Sequence, residues 1–356
     1  MEDVKILGAG PAGLSAAINL AKEGYLVEVF EKNSDVGGRF HGEFQGLENW
    51  SNKKDTLLIL KDMNISVKNF KYYPFRDLTI SNIDKKWDFK CNKPAFYLIK
   101  RGSVQESLDN GLKNQALNNG VDIHFEKTLN VKNADIIATG PNSKQRFAVA
   151  QGIFFQTDLK DMVLCILNDK AALKGYSYLL VADGNATMST VLFDQFKYLK
   201  RCFQETRKIY EQILDLEIKN PQKIGGVGSF STKNMYTEKG KLYTGEAAGL
   251  QDLLWGFGIK TAIESGYIAA KSIINGSSYE KAAEKCFNYK LKASVVNRYL
   301  WEKFATNNYS LILNQIHKSS DHLKYLNHLH KFNILQKILY PFASRYMKNR
   351  YRNLKL

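Results

Sequence analysis

The chain has 356 residues, enough for roughly two domains at about 150 residues each. Hydrophobic residues make up 44% and charged residues 24% of it, which is typical of a folded globular protein and argues against a disordered chain. The 51 basic and 35 acidic residues give a net charge of +16, which favours an anionic partner such as a phosphate-bearing ligand, an acidic lipid surface or nucleic acid. Because no nucleic-acid-binding motif occurs, nucleic acid is the least favoured of the three.

The four cysteines form no CxxC pair and are far apart in the chain, at Cys91, Cys165, Cys202 and Cys286. A disulfide framework or a zinc site is therefore not expected, and a reducing compartment is favoured. The sequence starts with acidic residues where a signal peptide would be basic, and no apolar run is long enough to cross a membrane. We expect a cytoplasmic protein, with peripheral membrane contact left open.

The first predicted elements form a strand–helix–strand unit. Residues 4–7 are apolar and predict a buried strand, residues 14–22 predict a helix, and residues 26–30 predict a second strand. The segment 8–13, a GxGxxG, joins the first strand to the helix. This arrangement, with Glu31 at the end of the second strand, is typical of dinucleotide binding.

Each glycine of this segment has its own task. Gly8 permits the tight turn, Gly10 lets a pyrophosphate approach the backbone, and Gly13 allows the helix to pack closely on the strand. The first N–H groups of the helix then face the phosphates. A carboxylate at Glu31 suits the ribose hydroxyls of the adenosine and disfavours a 2′-phosphate, so NADP is disfavoured while FAD and NAD remain.

A Gly-Gly-Arg turn follows, made of Gly37, Gly38 and Arg39. Residues 31–39 resemble the FAD-dependent oxidoreductases, in which the ribose-binding Glu is followed by a similar turn. The resemblance implies that these three residues lie near the pyrophosphate and ribityl chain of FAD, where an arginine can bridge phosphate oxygens.

Two further segments resemble the p-hydroxybenzoate hydroxylase-type flavoproteins. Residues 97–103 look like the arginine-led element of that superfamily, which implies that Arg101 contacts FAD. A predicted strand over residues 134–140 ends at Thr139 and Gly140, as in the "ATG" element of those enzymes.

Residues 242–249 resemble the GDAAG motif, whose acid binds the ribityl chain of FAD; here Glu246 stands in place of the Asp. Two glycines of the next loop would let the backbone approach the flavin ring. The helix predicted behind them, which runs to residue 274, would favour negative charge near the flavin N1–C2 carbonyl. The residues expected to contact FAD are Gly8, Gly10, Pro11, Ala12, Gly13, Glu31, Lys32, Gly38, Arg39, Arg101, Thr139, Gly140, Gly245, Glu246, Gly256, Gly258 and Ile259.

Residues 174–181 predict a strand of the substrate-facing sheet. Here the chain resembles the geranylgeranyl reductase family of flavoproteins, which carries a YxWxFP motif facing the flavin. Tyr176 and Tyr178 stand at the two aromatic positions, and Leu180 and Val181 stand in place of Phe-Pro. Alternating tyrosines are also usual in a half-buried strand, so an ordinary packing role stays open.

These resemblances imply an α/β fold in which a Rossmann-like FAD-binding domain interleaves with an α+β substrate domain. The substrate domain is expected to contain a mixed antiparallel sheet, and a helical C-terminal region follows. We assign residues 1–70, 97–140 and 226–276 to the FAD-binding domain, 71–96 and 141–225 to the substrate domain, and 277–356 to the C-terminal region.

The reaction that the resemblance implies is reduction of C=C bonds in an apolar isoprenoid or lipid-like substrate, by hydride transfer from N5 of the reduced flavin. A proton donor is then needed within hydrogen-bond reach of the substrate. The candidate catalytic residues are Tyr178, Tyr176 and His41, with Trp255 lining the cavity beside the ring; packing is the alternative role for each. Two other functions stay open: a flavin-dependent monooxygenase acting on a small aromatic or natural-product intermediate, and a non-redox flavoprotein such as a cyclase.

No second GxGxxG follows a later strand, and the glycine-rich residues 225–228 predict a turn. The electrons are therefore expected from NAD(P)H that binds transiently or from a reduced carrier protein such as ferredoxin. The four tryptophans are isolated from one another, so the sequence lacks the WxWxIP motif of flavin-dependent halogenases, which disfavours halogenation.

Residues 277–356 predict helices. Apolar residues recur at three- and four-residue spacing over residues 335–346, and Asp321 is the single acid among the many lysines and arginines of residues 318–355. A basic amphipathic helix of this kind can lie on an anionic membrane, or it can pack on the protein with a solvated basic face. The histidines of this region have no tight i, i+4 pair and no supporting acids, so no metal site is expected.

Overall fold

The computed structural model describes residues 3–141, 146–230, 235–306 and 308–351. The strands of these residues are β1 (Asp3–Leu7), β2 (Leu26–Phe30), β3 (His41–Glu48), β4 (Tyr72–Phe75), β5 (Asp77–Ser81), β6 (Lys86–Lys90), β7 (Phe96–Gly102), β8 (Asp122–His124), β9 (Ile136–Ile137), β10 (Arg146–Gln156), β11 (Met162–Ile166), β12 (Tyr176–Ala182), β13 (Asn185–Leu192), β14 (Lys219–Ser229), β15 (Thr237–Glu238) and β16 (Lys241–Tyr243). The α-helices of the same residues are α1 (Pro11–Lys22), α2 (Thr56–Asp62), α3 (Leu108–Asn118), α4 (Leu199–Ile213), α5 (Ile259–Ile274), α6 (Tyr279–Leu300), α7 (Tyr309–His317), α8 (His322–Leu329) and α9 (Ile334–Arg350).

A six-stranded sheet of order β15-β16-β9-β1-β2-β8 forms the centre of the part predicted to bind a dinucleotide. The strands β16, β9, β1, β2 and β8 run parallel, so their carboxyl ends meet at one edge. Helix α1 joins β1 to β2 and packs on α5 so tightly that a Cβ at Gly266 would lie 2.0 Å from the carbonyl oxygen of Ala12. The predicted strand–helix–strand unit is confirmed.

A seven-stranded mixed sheet of order β14-β10-β13-β12-β11-β5-β6 forms the second layer system. Its pairs are antiparallel except for β11 with β5, which agrees with the predicted mixed antiparallel sheet. Side chains of β12 alternate between two faces. Leu179 and Val181 pack with residues of α4, whereas Tyr178 and Leu180 pack on the opposite side with Phe44 of β3.

A three-stranded sheet of order β3-β7-β4 lies between the two large sheets, and β3 contacts β10, β13 and β14. Strand β4 lies in the segment 71–96, which the sequence places in the substrate domain, yet it pairs with β7. Strands β5 and β6 of the same segment join the seven-stranded sheet. The chain therefore crosses between the two parts in the short connection between β4 and β5.

The expectation of a turn at residues 225–228 is wrong. These residues belong to β14, which pairs with β10 along its length; Gly225 lies opposite Gln151 and Gly226 opposite Ala150. A Cβ at Gly225 would lie 3.0 Å from the carbonyl oxygen of Ala150, so glycine here permits close approach of two strands. The segment lacks the apolar pattern of a buried strand because β14 lies at the edge of the sheet and is largely exposed, and this lack suggested a turn.

The C-terminal helices pack on both parts of the protein. Helix α6 contacts α5 and α9, α7 contacts β6, and α8 contributes Leu323 to an apolar cluster with Trp50 and Phe96. The predicted helical C-terminal region is thus observed in the described residues. Within the same residues, every helix is either too short or too polar to cross a membrane.

Candidate cofactor and substrate site

The glycine-rich turn after β1 has the geometry that the GxGxxG spacing predicts. Gly8 has φ +106°, and a Cβ there would lie 2.4 Å from the carbonyl oxygen of Ala138. A Cβ at Gly13 would lie 2.0 Å from the carbonyl oxygen of Gly8, whereas a Cβ at Gly10 would meet nothing within 4 Å. Gly8 and Gly13 therefore serve the packing of strand and helix, and Gly10 leaves open space at the start of α1.

Glu31 is 9% exposed and lies at the end of β2, beside this turn. One of its oxygens accepts a hydrogen bond from the Ala9 N–H at 3.0 Å, and the other accepts one from the Asn33 N–H, also at 3.0 Å. These bonds fix the carboxylate next to the open space at Gly10. Lys32, the next residue, is exposed.

Arg39 and Glu246 come together although they are far apart in the sequence. Their side chains form an ion pair with an Nη2–Oε2 distance of 3.2 Å. Burial raises the pKa of Glu246, and the Arg39 guanidinium partly offsets that rise. The longer Glu side chain thus reaches the Gly-Gly-Arg turn from the other end of the cofactor region.

The groups described here follow four of the five parallel strands, β1, β2, β9 and β16. The backbone of Thr244 donates to the carbonyl of Ile137 at 2.9 Å, so the segment entering Gly245 runs beside the end of β9. Gly140 follows β9 with φ +78° and open space where its Cβ would be. Ligands of open α/β sheets bind at this carboxyl edge. The open space at Gly10 beside Glu31 leaves room for the predicted adenosine and pyrophosphate of FAD, and the predicted contact of the ribityl chain falls at the Arg39–Glu246 pair; both contacts stay predictions.

Arg101 is buried and donates three hydrogen bonds to two partner residues. Its Nε and Nη2 donate to Asp109 at 2.8 and 3.0 Å, and its Nη1 donates to Gln45 at 2.9 Å. Asp109 also accepts from the backbone of Gly102 at 2.9 Å. The guanidinium is therefore held by the protein itself, and its contact with FAD stays a prediction.

The loop between Gly249 and α5 is shaped by Asp252. Its backbone N–H donates to the carbonyl of Phe257 at 2.9 Å, its carbonyl accepts from Gly256 N–H at 2.9 Å, and its carboxylate accepts from Trp255 N–H at 2.7 Å. Gly256 has φ +78°, which favours glycine at that position. Gly258 precedes α5 without any side-chain cap. The loop therefore presents backbone rather than side chains at Gly256 and Gly258.

Lys260, in the first turn of α5, is buried. Its Nζ lies 3.1 Å from a carboxylate oxygen of Glu48 and also donates to Ser51 and to Asn52. The lysine at the start of α5 is thus tied to the end of β3 and to the residues that follow it. This ion pair joins α5 to the three-stranded sheet.

Aromatic side chains pack between the loop over residues 249–258 and the seven-stranded sheet. The Tyr176 hydroxyl donates to the Trp255 carbonyl, and the Tyr176 and Tyr178 rings lie 6.1 Å apart. The Trp255 ring makes edge contacts with Trp50 at 6.1 Å and with Trp301 at 6.4 Å. Burial raises the pKa of Tyr178 to about 12, so this phenol is neutral and carries its proton at physiological pH. The three predicted residues Tyr176, Tyr178 and Trp255 therefore lie together.

The fourth candidate, His41, is exposed at the start of β3, whereas Glu43, two residues later, is buried. Glu43 and Phe44 are both buried, because the pairing of β3 with β7 is irregular between His41 and Phe44. Gly42 has φ +103°, a backbone conformation that glycine adopts readily, and so permits this bulge. A bulge re-aims one side chain of a strand, and here it turns Glu43 inward.

Glu43 interacts electrostatically with Tyr178 of β12. One of its oxygens accepts from the His41 N–H at 2.5 Å, and burial together with the Glu43 carboxylate raises the pKa of the Tyr178 phenol. The neighbouring Phe44 N–H donates to Thr187 of the seven-stranded sheet at 2.7 Å, which fixes β3 against that sheet. Burial raises the pKa of Glu43 and so favours its neutral acid form.

A cavity lies next to the aromatic side chains. It is lined by Glu48, Trp50, Ser51, Gln251, Asp252, Phe257, Thr261, Phe287, Lys290, Leu291, Ser294 and His330. One buried side-chain oxygen each of Glu48, Gln251 and Asp252 has no hydrogen-bond partner among the described residues. Burial raises the pKa of Asp252, and His330 partly offsets the rise. The cavity wall is therefore polar at the loop and apolar at Trp50 and Phe257.

Comparison with known proteins agrees with this geometry. Residues 6–48 match the family model of the NAD(P)-binding Rossmann-like domain. A crystal structure of a geranylgeranyl bacteriochlorophyll reductase-like protein from Thermoplasma acidophilum superposes with a TM-score of 0.73 at 19% identity, covering 98% of this chain and 99% of that chain. A flavin-dependent brominase variant superposes with a TM-score of 0.68 at 14% identity, covering 98% and 100%.

The chain has the fold of the FAD-dependent oxidoreductases. Among curated relatives, a 1-hydroxycarotenoid 3,4-desaturase of Flavobacterium sp. is 54% identical over 41 residues, which are 12% of this chain and 8% of the relative. A thiamine thiazole synthase of Pyrococcus abyssi is 38% identical over 100 residues, 28% of this chain and 40% of the relative. The matches thus span less than half the length of these curated relatives.

In this flavoprotein fold, sequence reasoning missed four side chains that shape the site. Asp109 holds Arg101, Asp252 shapes the loop, Glu48 holds Lys260, and Glu43 is a buried acid that acts electrostatically on Tyr178. A pattern existed only for Asp109, as an acid in the first turn of the helix that follows the arginine-led strand. Glu43 could be found only from the bulge, which depends on the partner strand.

Proposed function

We propose that this protein is an FAD-dependent oxidoreductase that reduces C=C bonds of an apolar, isoprenoid or lipid-like substrate. The observation that carries the proposal is the aromatic wall of Trp50, Tyr176, Tyr178, Trp255 and Phe257 beside the cofactor region. Such a wall suits an apolar chain, because polar partners for a charged substrate are few on it. The similarity in fold to the reductase-like protein over nearly the whole of both chains supports the same proposal.

FAD, when bound and reduced, supplies two electrons as a hydride. The chain's part is to hold the cofactor through Gly10, Glu31 and the Arg39–Glu246 pair, and to keep water from the reacting bond by the aromatic wall. It must also deliver one proton for each hydride, so that the double bond gains two hydrogens. NAD(P)H or a reduced carrier such as ferredoxin is the proposed source of the electrons.

Glu43 is the proposed proton donor, and its electrostatic effect on the Tyr178 phenol supports a position near β12. A buried carboxylic acid with a raised pKa stays protonated at a pH where an exposed glutamate is ionised, and so can give up a proton in the reaction. Replacing it by Gln keeps the shape and the acceptor for the His41 N–H but removes the acid.

The proposal is tested with the FAD-loaded protein under anaerobic conditions. The reduced protein is mixed with a polyprenyl lipid, and flavin reoxidation is followed by stopped-flow absorbance. The mass of the product is determined by mass spectrometry. Reoxidation without oxygen and a product with two more hydrogens per reduced bond would support the reductase. Supplying NADH, NADPH or reduced ferredoxin in turn identifies the donor.

Two outcomes would contradict it. Slow reoxidation by lipid but rapid, substrate-stimulated oxidation by oxygen, with an oxygen atom in the product, would establish a monooxygenase. The fold similarity to a 2-methyl-3-hydroxypyridine-5-carboxylic acid oxygenase, with a TM-score of 0.57 at 17% identity, supports this alternative. Conversion of substrate by the oxidised protein, with no change in flavin redox state, would instead indicate a non-redox reaction such as cyclisation.

The Glu43→Gln variant tests the proton donor. The wild-type rate of C=C reduction should fall as pH rises above 4.5 through the raised pKa of Glu43, because the ionised form cannot donate. The variant should lose this descending limb and reduce the substrate roughly a hundredfold more slowly, while FAD binding stays unchanged. His41→Gln is the matched control; if it, and not Glu43→Gln, flattens the profile, the exposed histidine is the donor.

A further inference from the structure

The most exposed large apolar side chains of the described residues all lie after residue 300. Their exposed fractions are 63% for Phe304, 58% for Leu311, 76% for Ile334, 61% for Leu335, 61% for Ile338 and 64% for Phe342. Four of the six lie on α9. A cluster of exposed apolar side chains in one region indicates contact with a partner, whereas scattered single ones do not.

The four residues of α9 share one face. Positions 334, 335, 338 and 342 recur at the spacing of a helical stripe. The opposite face, with Gln336, Ala343 and Met347, is buried against the rest of the protein. The helix is therefore docked, and a capping box of Asn333 and Gln336 fixes its start.

Free positive charge accompanies the stripe. Lys331, Lys337, Arg345 and Lys348 are exposed, and no ion pair within the described residues involves them. Arg350, one turn beyond, points inward instead and pairs with Asp194 and Glu302. The outer face of α9 thus combines apolar side chains near its start with basic ones toward its end.

We propose that the outer face of α9 binds the surface of an anionic membrane. Insertion of the apolar side chains at the depth of the headgroups, with lysine and arginine beside the lipid phosphates, is the mode of interfacial amphipathic helices. A second copy of this chain is a poorer occupant, because a two-fold contact would bring basic faces together in a protein of net charge +16.

The same face is close to the cavity along the chain. Asn327 of α8 donates to the Trp50 carbonyl at 2.9 Å, and His330 lines the cavity. Ile334 begins the exposed stripe four residues after His330. A membrane-bound α9 would therefore place the cavity wall next to the lipid from which an apolar substrate enters; this step rests on the proposed function, whereas membrane binding does not.

Vesicle co-sedimentation of the FAD-loaded protein tests the surface. Wild type should bind phosphatidylcholine vesicles containing about 30% phosphatidylglycerol at least tenfold more tightly than pure phosphatidylcholine vesicles, and salt should weaken the binding. The double variant Ile338→Ser with Phe342→Ser should lose at least tenfold in affinity, because two exposed side chains no longer enter the bilayer. Its matched control is Leu58→Ser with Leu117→Ser, which removes exposed leucines of α2 and α3.

A second pair of variants tests the charge. Lys337→Gln, Arg345→Gln and Lys348→Gln together should abolish the preference for anionic vesicles, whereas Lys68→Gln, Lys200→Gln and Lys208→Gln together should retain it. Equal binding of wild type to neutral and anionic vesicles, or equal losses in the two triple variants, would overturn the proposal. So would a wild-type dimer in light scattering that the Ile338/Phe342 variant dissociates. No substrate is present, so the result is independent of whether the protein is a reductase.

Discussion

Single glycines in the cofactor turn have separable physical roles. Gly10 and Gly13 differ in the space available for a side chain. A methyl group added at Gly10 would meet nothing within 4 Å, whereas one added at Gly13 would lie 2.0 Å from a carbonyl oxygen. Cofactor approach and helix packing can therefore be tested independently at two residues of one motif.

Gly13→Ala should destabilise the protein without FAD by roughly 1–3 kcal/mol, because α1 must move away from Gly8. Gly10→Ala should leave the free energy of unfolding within about 0.5 kcal/mol, since its φ of −81° suits alanine, yet lower FAD affinity at least tenfold. Urea unfolding of the apoprotein and quenching of flavin fluorescence measure the two effects. Equal loss of stability in both variants would refute the separation.

Between elements, the strongest link in the cofactor region is the buried pair of Arg101 on β7 and Asp109 on α3. Its two parallel hydrogen bonds and the backbone bond from Gly102 fix the helix against the strand. The side chains of Arg101 and Asp109 are 6% and 1% exposed, so water could not solvate either charge if its partner were removed. The pair thus determines how α3 docks, whatever else Arg101 does.

Asp109→Asn should lower the free energy of unfolding by about 3–5 kcal/mol, because it leaves a buried guanidinium without its carboxylate. The double variant Arg101→Met with Asp109→Leu should lose less than this, since neither charge remains. Chemical denaturation gives the stabilities. FAD affinity of the double variant then decides whether Arg101 contacts the cofactor: unchanged affinity assigns it to the fold alone.

Local elements were predictable where one segment carries the whole pattern. The GxGxxG with its flanking strands and the helix ending at Ile274 follow from periodicity and glycine spacing. The inward turn of Glu43 and strand β14 were not, because each depends on a partner strand distant in sequence. The same holds for the site residues. Glu31 is predictable from its place after β2, whereas the hydrogen bonds by which Asp252 shapes the loop form only in the folded chain.

On the scale of the whole molecule, a largely buried charge network joins the C-terminal helices to the loop before α5 and to the ends of two strands of the seven-stranded sheet. Arg298 of α6 donates to the carbonyls of Leu254, in that loop, and Lys174, before β12. Arg350 of α9 reaches Asp194, after β13. Glu302 lies between the two arginines and accepts hydrogen bonds from both. The C-terminal region is therefore a structural part of the site and not an appendage.

The side chain of Glu302 is fully buried, so its charge matters for the stability of the whole protein. Burial opposes its ionisation, yet Arg298 and Arg350 more than offset this and lower its pKa below 4.5. A carboxyl whose pKa is lower in the folded state stabilises that state above its unfolded pKa, and the contribution is lost as pH falls through the folded value.

Glu302→Gln should therefore cost about 3–5 kcal/mol at neutral pH, because two buried arginines lose their counter-charge. The difference from wild type should shrink as pH falls from 4.5 through the lowered folded-state pKa, because Glu302 takes up a proton in the unfolded state first. Urea unfolding across pH measures this, with Glu211→Gln, in an exposed pair with Arg207, as the control expected to change stability by less than about 1 kcal/mol. A loss of stability that is constant with pH would show that Glu302 acts through packing and hydrogen bonds rather than through its charge.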